Sequence, residues 1–530
     1  MSERSIESGT AEAPAPGSGH VPGSGQLPGS GQLPGSGQLP GSGVLLGIGL
    51  LLGLAADRLL WLGPLGFGFT LWMALLGGAA VVLARRQRWP WSGAVTGWSV
   101  VAVVAVAGTV WRASPVLNLL YLGTAVVAAS GALLAARGIR LGEGRVVDHV
   151  RGLALVPWHA VTGAFRLLVR PRAPAGFGSD RAVAVGRGVL LAIPPVLVFG
   201  ALFASADPAF ERAIDFVAPD IEALPAHLFL IGFFGWVGVG LLTGLFPGPR
   251  ENPLTGFRPP KLGTETTTAL ALVTALFAAF VAIQFSYLFG GASAIEGVSG
   301  LTVADYARRG FFELVAVAGL VTVLLLAANA TTDHADDAGR RLFRILAGVL
   351  VALVMIIIAS AGLRLRLYVD AFGLTDARFF AAAVMAWIAV TLLLFAATVL
   401  RDRPRPFAAG TLLAGLLTVA LLTLANPDAA VARTNIDRAV DAGTAVDATY
   451  LASLSADAAP EIVPAVLDES VAMAPDDRCA LAGSLIRRWG PEAVTEVSRD
   501  WRRWNAAAAD AHDRVEAALP ELRAIADRCR

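Results

Sequence analysis

Eleven runs of about twenty apolar residues restrict the fold of this chain more than any other feature. About 20 residues of helix cross the hydrocarbon core of a bilayer, where backbone polar groups must be bonded within their own segment. We therefore predict an all-α polytopic membrane protein with about eleven transmembrane helices. The runs lie at 44–63, 65–84, 92–111, 116–136, 185–205, 226–246, 265–289, 310–330, 342–363, 377–400 and 407–426.

The composition supports this class. Only 16% of the 530 residues are charged, whereas about a quarter are charged in soluble proteins. The formal net charge is +1, so no overall basic field favours binding to nucleic acid. The expected surroundings of most of the chain are therefore the lipid bilayer.

Five regions follow from the positions of the runs. They are a disordered Pro-Gly-Ser repeat tail (1–43), a four-helix membrane lead-in (44–136), a cytoplasmic amphipathic connection (137–184), a seven-helix membrane core (185–426) and a soluble helical domain (427–530). The tail repeats Pro-Gly-Ser-Gly, a composition typical of flexible linkers. The last region has 12 arginines against 18 acidic residues, and its apolar residues recur at helical spacing. Its predicted helices are 428–440, 446–467, 476–489, 491–506 and 508–528.

The connection contains a stretch from Val146 to Arg172 that mixes apolar residues with arginines. This pattern favours a helix lying in the plane of the membrane surface. Pro157 removes a backbone donor, so we expect it to break this helix.

The orientation follows from the basic residues of the loops. One alternate set of loops holds 21 basic residues and the other holds 8. Loops rich in arginine and lysine stay in the cytoplasm. A plasma-membrane protein with a cytoplasmic N-terminus and an extracytoplasmic C-terminal domain is therefore predicted.

Cys479 and Cys529 are the two cysteines of the chain. If the last domain is extracytoplasmic, they can form a disulfide, which would stabilise the domain by roughly 4 kcal/mol. If it is cytoplasmic, they are two unrelated thiols. Neither they nor the six histidines have metal-ligand spacing. We expect no metal and no cofactor.

Charges beside the apolar runs suggest a polar site on the outer face. Arg308 and Arg309 precede the eighth run, and Glu313 lies about one turn inside it, where a charge is costly. A second cluster follows the ninth run. The predicted site comprises Tyr306, Arg308, Arg309, Glu313, Arg364, Arg366, Tyr368 and Asp370. Asp57 and Arg58, near the end of the first run, are expected to reach the membrane surface instead.

Three interpretations of this site remain open. The arginines can pair with nearby carboxylates and with the acidic C-terminal domain, docking it on the membrane. They can bind an anionic lipid headgroup or another envelope component. Alternatively, Glu313 can titrate within a transport pathway.

Several long segments resemble a family of bacterial membrane proteins. They are Gln284–Gly291, Tyr306–Leu314, Leu365–Thr375, Asn426-Pro-Asp428, Asn435–Arg438, Asp447–Leu454 and Asp500-Trp-Arg-Arg-Trp-Asn505. Together they resemble the domain of unknown function four-one-seven-three, with four-one-five-three as a close relative, over about 180–505. The resemblance implies a multi-pass envelope protein without an established activity, cofactor or catalytic residue.

The absence of a catalytic motif leaves enzymatic activity uncertain and favours a non-enzymatic role. We predict a membrane protein of unknown activity that acts as an envelope scaffold or sensor, with its C-terminal domain docked on the arginine clusters. The alternative is a transporter or a lipid-handling protein that binds an anionic headgroup there. The oligomeric state is not predicted.

Overall fold

A computed structural model describes residues 42–61, 66–86, 88, 91–136, 146–169, 224–244, 261–288, 311–332, 336–493 and 500–529. Every regular element in these ranges is a helix. The helices up to residue 425 are α1 (Ser42–Leu60), α2 (Phe67–Arg86), α3 (Gly93–Trp111), α4 (Pro115–Ala136), α5 (Val146–Val169), α6 (Leu224–Thr243), α7 (Gly263–Leu288), α8 (Phe311–Thr331), α9 (Asp337–Phe372), α10 (Asp376–Thr398) and α11 (Arg405–Ala425).

Nine helices in the described ranges are long and apolar enough to cross a membrane. Ten of the eleven predicted spans coincide with described helices, and the span predicted at 185–205 lies outside the described residues, as does the tail up to residue 41. The prediction of an all-helical polytopic membrane protein is confirmed. Its five-region division stays a prediction.

Helices α1, α2 and α6 share one apolar core. Close approach of α1 to α6 depends on glycine, because a Cβ atom at Gly53 would lie 2.3 Å from the carbonyl oxygen of Ile231. Small residues at such contacts are typical of membrane helix pairs. The indole N–H of Trp72 donates to the Leu52 carbonyl at 2.9 Å, which joins α2 to α1 inside the core.

A second core joins α7, α8, α9 and α10, where Leu325, Leu350, Leu392 and Phe395 are fully buried. Helix α9 has 36 residues and is therefore about 54 Å long, well beyond the roughly 30 Å of a bilayer core. Its last turns extend past the predicted span and carry the charges that follow residue 363.

Helix α5 packs against the C-terminal halves of α4 and α6. Ser130 of α4 donates to the Leu153 carbonyl at 3.0 Å, and the indole N–H of Trp236 of α6 donates to the Val161 carbonyl at 3.1 Å. The expected break at Pro157 is wrong, because α5 continues through this residue. A helix packed along other helices tolerates the loss of one backbone hydrogen bond more easily than an isolated one.

The C-terminal domain, residues 427–529, is a bundle of short helices around an aliphatic core. Its helices are α12 (Pro427–Ala442), α13 (Ala448–Ser453), α14 (Ala459–Leu467), α15 (Pro475–Trp489), α16 (Ala506–Ala517) and α17 (Leu519–Asp527). Short 3-10 turns lie at Ala456–Ala458, Pro491–Ala493 and Trp501–Arg503.

Two predicted helices of this domain differ from the structure. The segment 446–467 is divided at Leu454 and Ser455, where backbone groups bond to side chains instead of continuing the helix. In the predicted helix 491–506, the described residues 491–493 and 501–503 form 3-10 turns. The division at Leu454 and Ser455 involves a long-range contact of Ser455 with Asp428, which helical periodicity does not report.

Candidate functional site

The C-terminal domain rests on one end of the membrane helices. Its contacts involve three interhelical loops (α1–α2, α3–α4 and α9–α10) and the end of α11. We call this contact surface the junction. It contains the largest group of buried, hydrogen-bonded polar side chains in the described part of the chain, so it is the candidate site.

An ion pair between Arg112 and Asp457 occupies the centre of the junction. The guanidinium Nη1 of Arg112, at the end of α3, lies 3.2 Å from Oδ1 of Asp457, and the two side chains are 14% and 0% exposed. The other carboxylate oxygen accepts backbone N–H bonds from Ala113 at 2.6 Å and Ser114 at 3.0 Å. The α3–α4 loop therefore encloses the carboxylate of the C-terminal domain with three donors.

The same arginine also closes the end of α11. Its Nε and Nη2 donate to the Thr423 carbonyl at 3.1 and 2.9 Å. This carbonyl lies in the last turn of α11, where carbonyl groups lack a hydrogen-bond donor within the helix. The Tyr121 hydroxyl donates to Thr423 Oγ1 at 3.0 Å. Arg112 thus connects α3, α11 and the C-terminal domain at one point.

Asp428, in the first turn of α12, is a second buried carboxylate, with 4% exposure. It accepts bonds from the Ser455 N–H at 3.2 Å and the Ser114 hydroxyl at 3.4 Å. Burial raises the pKa of Asp428, the negative charge of Asp457 raises it further, and the bonds from Ser455 oppose this change. Ser114 and Ser455 each bond to both carboxylates: their hydroxyl and N–H, respectively, donate to Asp428, and their N–H and hydroxyl, respectively, donate to Asp457.

The α9–α10 loop is held by Asn435. Its amide oxygen accepts from the Leu374 N–H at 2.8 Å and its amide nitrogen donates to the Leu374 carbonyl at 2.7 Å. Gly373 has φ 80°, and a Cβ atom there would lie 2.5 Å from Asn435 Oδ1. Glycine is therefore required by both the backbone conformation and the close approach.

Tyr450 binds the start of α10. Its hydroxyl accepts from the Asp376 N–H at 2.9 Å and lies 3.3 Å from the Asp376 carboxylate. Burial raises the pKa of Tyr450 to about 12, so the hydroxyl stays protonated at neutral pH and can donate to this carboxylate.

Asn505 binds the end of α3 while capping a helix of the C-terminal domain. Its amide nitrogen donates to the carbonyls of Thr109 at 3.1 Å and Arg112 at 3.0 Å. Its amide oxygen accepts from the Ala508 N–H at 3.1 Å as the N-cap of α16. One side chain therefore couples the start of α16 to the α3–α4 loop.

The predicted arginine site is only partly described. Tyr306, Arg308 and Arg309 lie outside the described residues. Glu313 is exposed in the first turn of α8. Arg364, Arg366, Tyr368 and Asp370 all lie on the last turns of α9. Leu314 and Leu365 belong to one apolar cluster, so the first turn of α8 lies beside the end of α9.

Two of these residues, Arg366 and Asp370, are four positions apart on α9, a spacing at which ion pairs can form along a helix. Arg366 and Asp370 are both exposed, and no ion pair joins these two described residues. The guanidinium carbon of Arg378, from α10, lies 3.8 Å from the ring centre of Tyr368. The polar contacts found at the junction involve Arg112, Asn435, Tyr450 and Asn505 rather than Arg366.

Two further predicted residues lie together inside the C-terminal domain. Cys479 of α15 and Cys529, after α17, form a disulfide with their Cα atoms 6.2 Å apart. Asp57 is buried, and its carboxylate lies 2.5 Å from Nδ1 of His227, whose ring stacks on Trp61. Among the described residues, no group of three or more His, Cys, Asp or Glu could hold a metal ion.

Sequence reasoning missed most residues of the junction. Asp428, Asn435, Tyr450 and Asn505 lie in the segments that carry the family resemblance, but their roles depend on contacts with distant loops. In the sequence, Arg112 is only one of the eight basic residues in the less basic set of loops. No local pattern indicates a role for Asp457, because its partner Arg112 is 345 residues away along the chain.

Comparison with known proteins identifies the family. No curated protein and no solved structure matches the chain. The family described as Domain of unknown function (DUF4153) matches residues 98–465, from α3 to α14. This match corrects the expected assignment to family four-one-seven-three, and it does not support the expected kinship of the two families. The match also begins within the lead-in, which was expected to lie outside the resemblance. The chain therefore belongs to the DUF4153 family.

Proposed function

We propose that this membrane protein is a non-enzymatic scaffold or sensor of the bacterial cell envelope, whose C-terminal domain is held in one orientation on the membrane helices. The buried pair of Arg112 and Asp457 carries this proposal. A buried ion pair contributes little net stability, but removal of one partner is costly, so such pairs are suited to defining one arrangement. Asp428 and Asp457 are buried and bonded to groups of the chain itself, which supports docking.

The distribution of basic residues supports a plasma-membrane orientation with this domain outside. The helix ends opposite the junction carry Arg85, Arg86, Lys261, Arg340, Arg341, Arg344, Arg401, Arg403 and Arg405. The junction end carries Arg58, Arg112, Arg364, Arg366 and Arg378. Because cytoplasmic loops are the more basic, the N-terminus is cytoplasmic and the C-terminal domain is extracytoplasmic. An oxidising compartment also suits the disulfide between Cys479 and Cys529.

Reporter fusions at the C-terminus test the orientation. Alkaline phosphatase, which is active only outside the cytoplasm, is expected to be active after residue 530, and a cytoplasmic fluorescent reporter is expected to be dark. The opposite pattern would place the domain and its disulfide in the cytosol and would reject the extracytoplasmic scaffold.

Complementation tests the role of docking. In a strain lacking the gene, growth under osmotic and detergent stress is compared for the wild type, Asp457→Ala and Glu313→Gln. A scaffold or sensor that depends on docking loses function in Asp457→Ala and keeps it in Glu313→Gln. Loss in Glu313→Gln alone would favour transport, in which that carboxylate titrates.

A second candidate function is lipid handling at the arginine cluster. It is favoured by Arg366, an exposed cation on the part of α9 that extends past the predicted span, for which no ion pair is found among the described residues. Guanidinium groups bind phosphate through two parallel hydrogen bonds. The proposed partners are therefore the bilayer and an anionic lipid or other anionic envelope component, and not nucleic acid. Equal binding of Arg366→Ala and wild type to phosphatidylglycerol vesicles would reject this function.

A further inference from the structure

An apolar groove lies at the edge of the junction, between membrane helices and the C-terminal domain. It has a volume of about 290 Å³ and is lined by the first turns of α2, the last turns of α3 and the segment that precedes α16. The lining residues that matter for the argument are Phe67, Thr70, Ala107, Val110, Trp111 and Trp504. The backbone N–H of Phe67 donates to the Trp504 carbonyl at 3.1 Å, which fixes the domain as one wall.

The groove is suited to an apolar occupant. Thr70 is its polar lining residue, and its hydroxyl already bonds within the helix pair, to the Val106 carbonyl and the Thr109 hydroxyl. A polar ligand inside the groove would therefore lose its bonds to water without compensation. A hydrocarbon chain has no polar group to leave unpaired there, so it is a suitable occupant.

The groove continues into the lipid-facing surface. Val103 lies one turn from Ala107 on the same face of α3 and is 69% exposed. Ala107 is itself exposed, so the apolar stripe of α3 runs without interruption from the membrane-spanning part into the groove. A lipid chain already packed on α3 would enter the groove without crossing water.

The rim of the groove has features of a membrane interface. Trp111 and Trp504 are about half exposed, and in the described part of the chain neither indole N–H donates to a protein acceptor. Such rings, apolar with one polar edge, are enriched at the level of lipid headgroups. The rim therefore offers two indole N–H donors beside the apolar groove.

We propose that the groove holds an acyl chain of a membrane phospholipid, with its phosphate at the two indole N–H groups of the rim. The lipid then forms part of the contact between the membrane helices and the C-terminal domain. This site is distinct from the arginine cluster of α9, and it does not depend on the scaffold or sensor role.

Photo-crosslinking of the full-length protein tests the site. The protein is reconstituted in phosphatidylcholine vesicles that contain a phosphatidylglycerol with a diazirine on its acyl chain, and labelled peptides are mapped by mass spectrometry. Bulk lipid labels the exposed face of α3 near Val103. Only a chain inside the groove also labels Trp504 to Ala506 of the C-terminal domain. Absence of that label from the wild type overturns the proposal without any variant.

Two tryptophan substitutions on one face of α3 provide a matched pair. Ala107→Trp fills the groove and is expected to remove the label from 504–506, whereas Val103→Trp, one turn away on the lipid-facing surface, is expected to keep it. Persistence of the label in Ala107→Trp overturns the proposal.

Discussion

The membrane helices and the C-terminal domain use the same apolar residues in opposite ways. In the membrane part, large side chains such as Leu119 and Leu272 lie on the outer surface, while glycine allows close helix contacts such as that at Gly53. In the C-terminal domain, Leu451 and Leu481 are buried and charged residues cover the surface. The difference follows from the solvent, because lipid does not penalise an exposed leucine and water does.

The junction belongs to neither pattern. It is where side chains of both parts are buried and bonded to each other through polar groups. Apolar surfaces pack with little angular preference, whereas hydrogen bonds require defined distances and directions. The comparison indicates that hydrophobic burial forms each part and that polar contacts determine how the parts are oriented.

Asp457→Ala is expected to have the largest effect on this arrangement. It leaves the buried Arg112 without its carboxylate and removes the acceptor of two backbone N–H groups, which should cost about 3–5 kcal/mol. Protease sensitivity of the detergent-solubilised protein should increase at residues 423–428, between α11 and α12. Arg433→Ala is the matched control, because its partner Glu461 forms a surface pair worth at most about 1 kcal/mol. Equal effects of the two variants would contradict the central role of Asp457.

Loss of the disulfide should destabilise one part only. Replacing both Cys479 and Cys529 by serine removes a crosslink that closes a long loop, for which typical losses are about 2–4 kcal/mol. We expect earlier thermal unfolding of the C-terminal domain with unchanged helicity of the membrane part, followed by circular dichroism. A simultaneous loss of membrane helicity would show that the two parts do not unfold separately.

Asn505→Ala should weaken the junction by about 1–2 kcal/mol, because it removes a helix cap and two bonds to carbonyls of the α3 end. Asn505→Asp separates these contributions. It keeps the capping oxygen but lacks the N–H donors to Thr109 and Arg112. If the thermal stability of Asn505→Asp equals that of the wild type, the side chain acts as a cap and not as a contact between the two parts.

The smallest effect is expected from Asp428→Asn, and it depends on pH. Because the pKa of Asp428 is raised in the folded protein, its protonated form favours docking. The associated stability is complete below the unfolded pKa and decreases as the pH rises through the raised value. At neutral pH, Asp428→Asn should therefore be at least as stable as the wild type.

Thermal unfolding measured over a range of pH checks this sign. The stability of the wild type should decline with rising pH above the unfolded pKa, and Asp428→Asn should decline less. Asp441→Asn, an exposed position on the same helix, should follow the wild type. A loss of stability in Asp428→Asn at neutral pH would show that the ionised carboxylate is the favoured form.

The predictive power of the sequence differed between local and distant features. The start of α9 shows the limit of local reasoning: the residues 332–337 predict a helix start, with Thr332 or Asp333 as the cap. The helix does begin there, but Asp336 is the N-cap and accepts from the N–H groups of Ala338 and Gly339. Several nearby acidic or hydroxyl side chains can cap one helix, so the pattern identifies the place better than the residue.

The sequence by itself determined the fold class and the approximate bounds of the described spans. A span needs only enough consecutive apolar residues to cross the bilayer, and this property can be read from about twenty neighbouring positions. The tertiary structure alone decided that Arg112 forms an ion pair with Asp457 and that Asn435 hydrogen-bonds to the backbone of Leu374. It also decided that Phe67, Trp111 and Trp504 line one groove. Each of these contacts joins residues far apart along the chain, and their selection depends on how the helices pack.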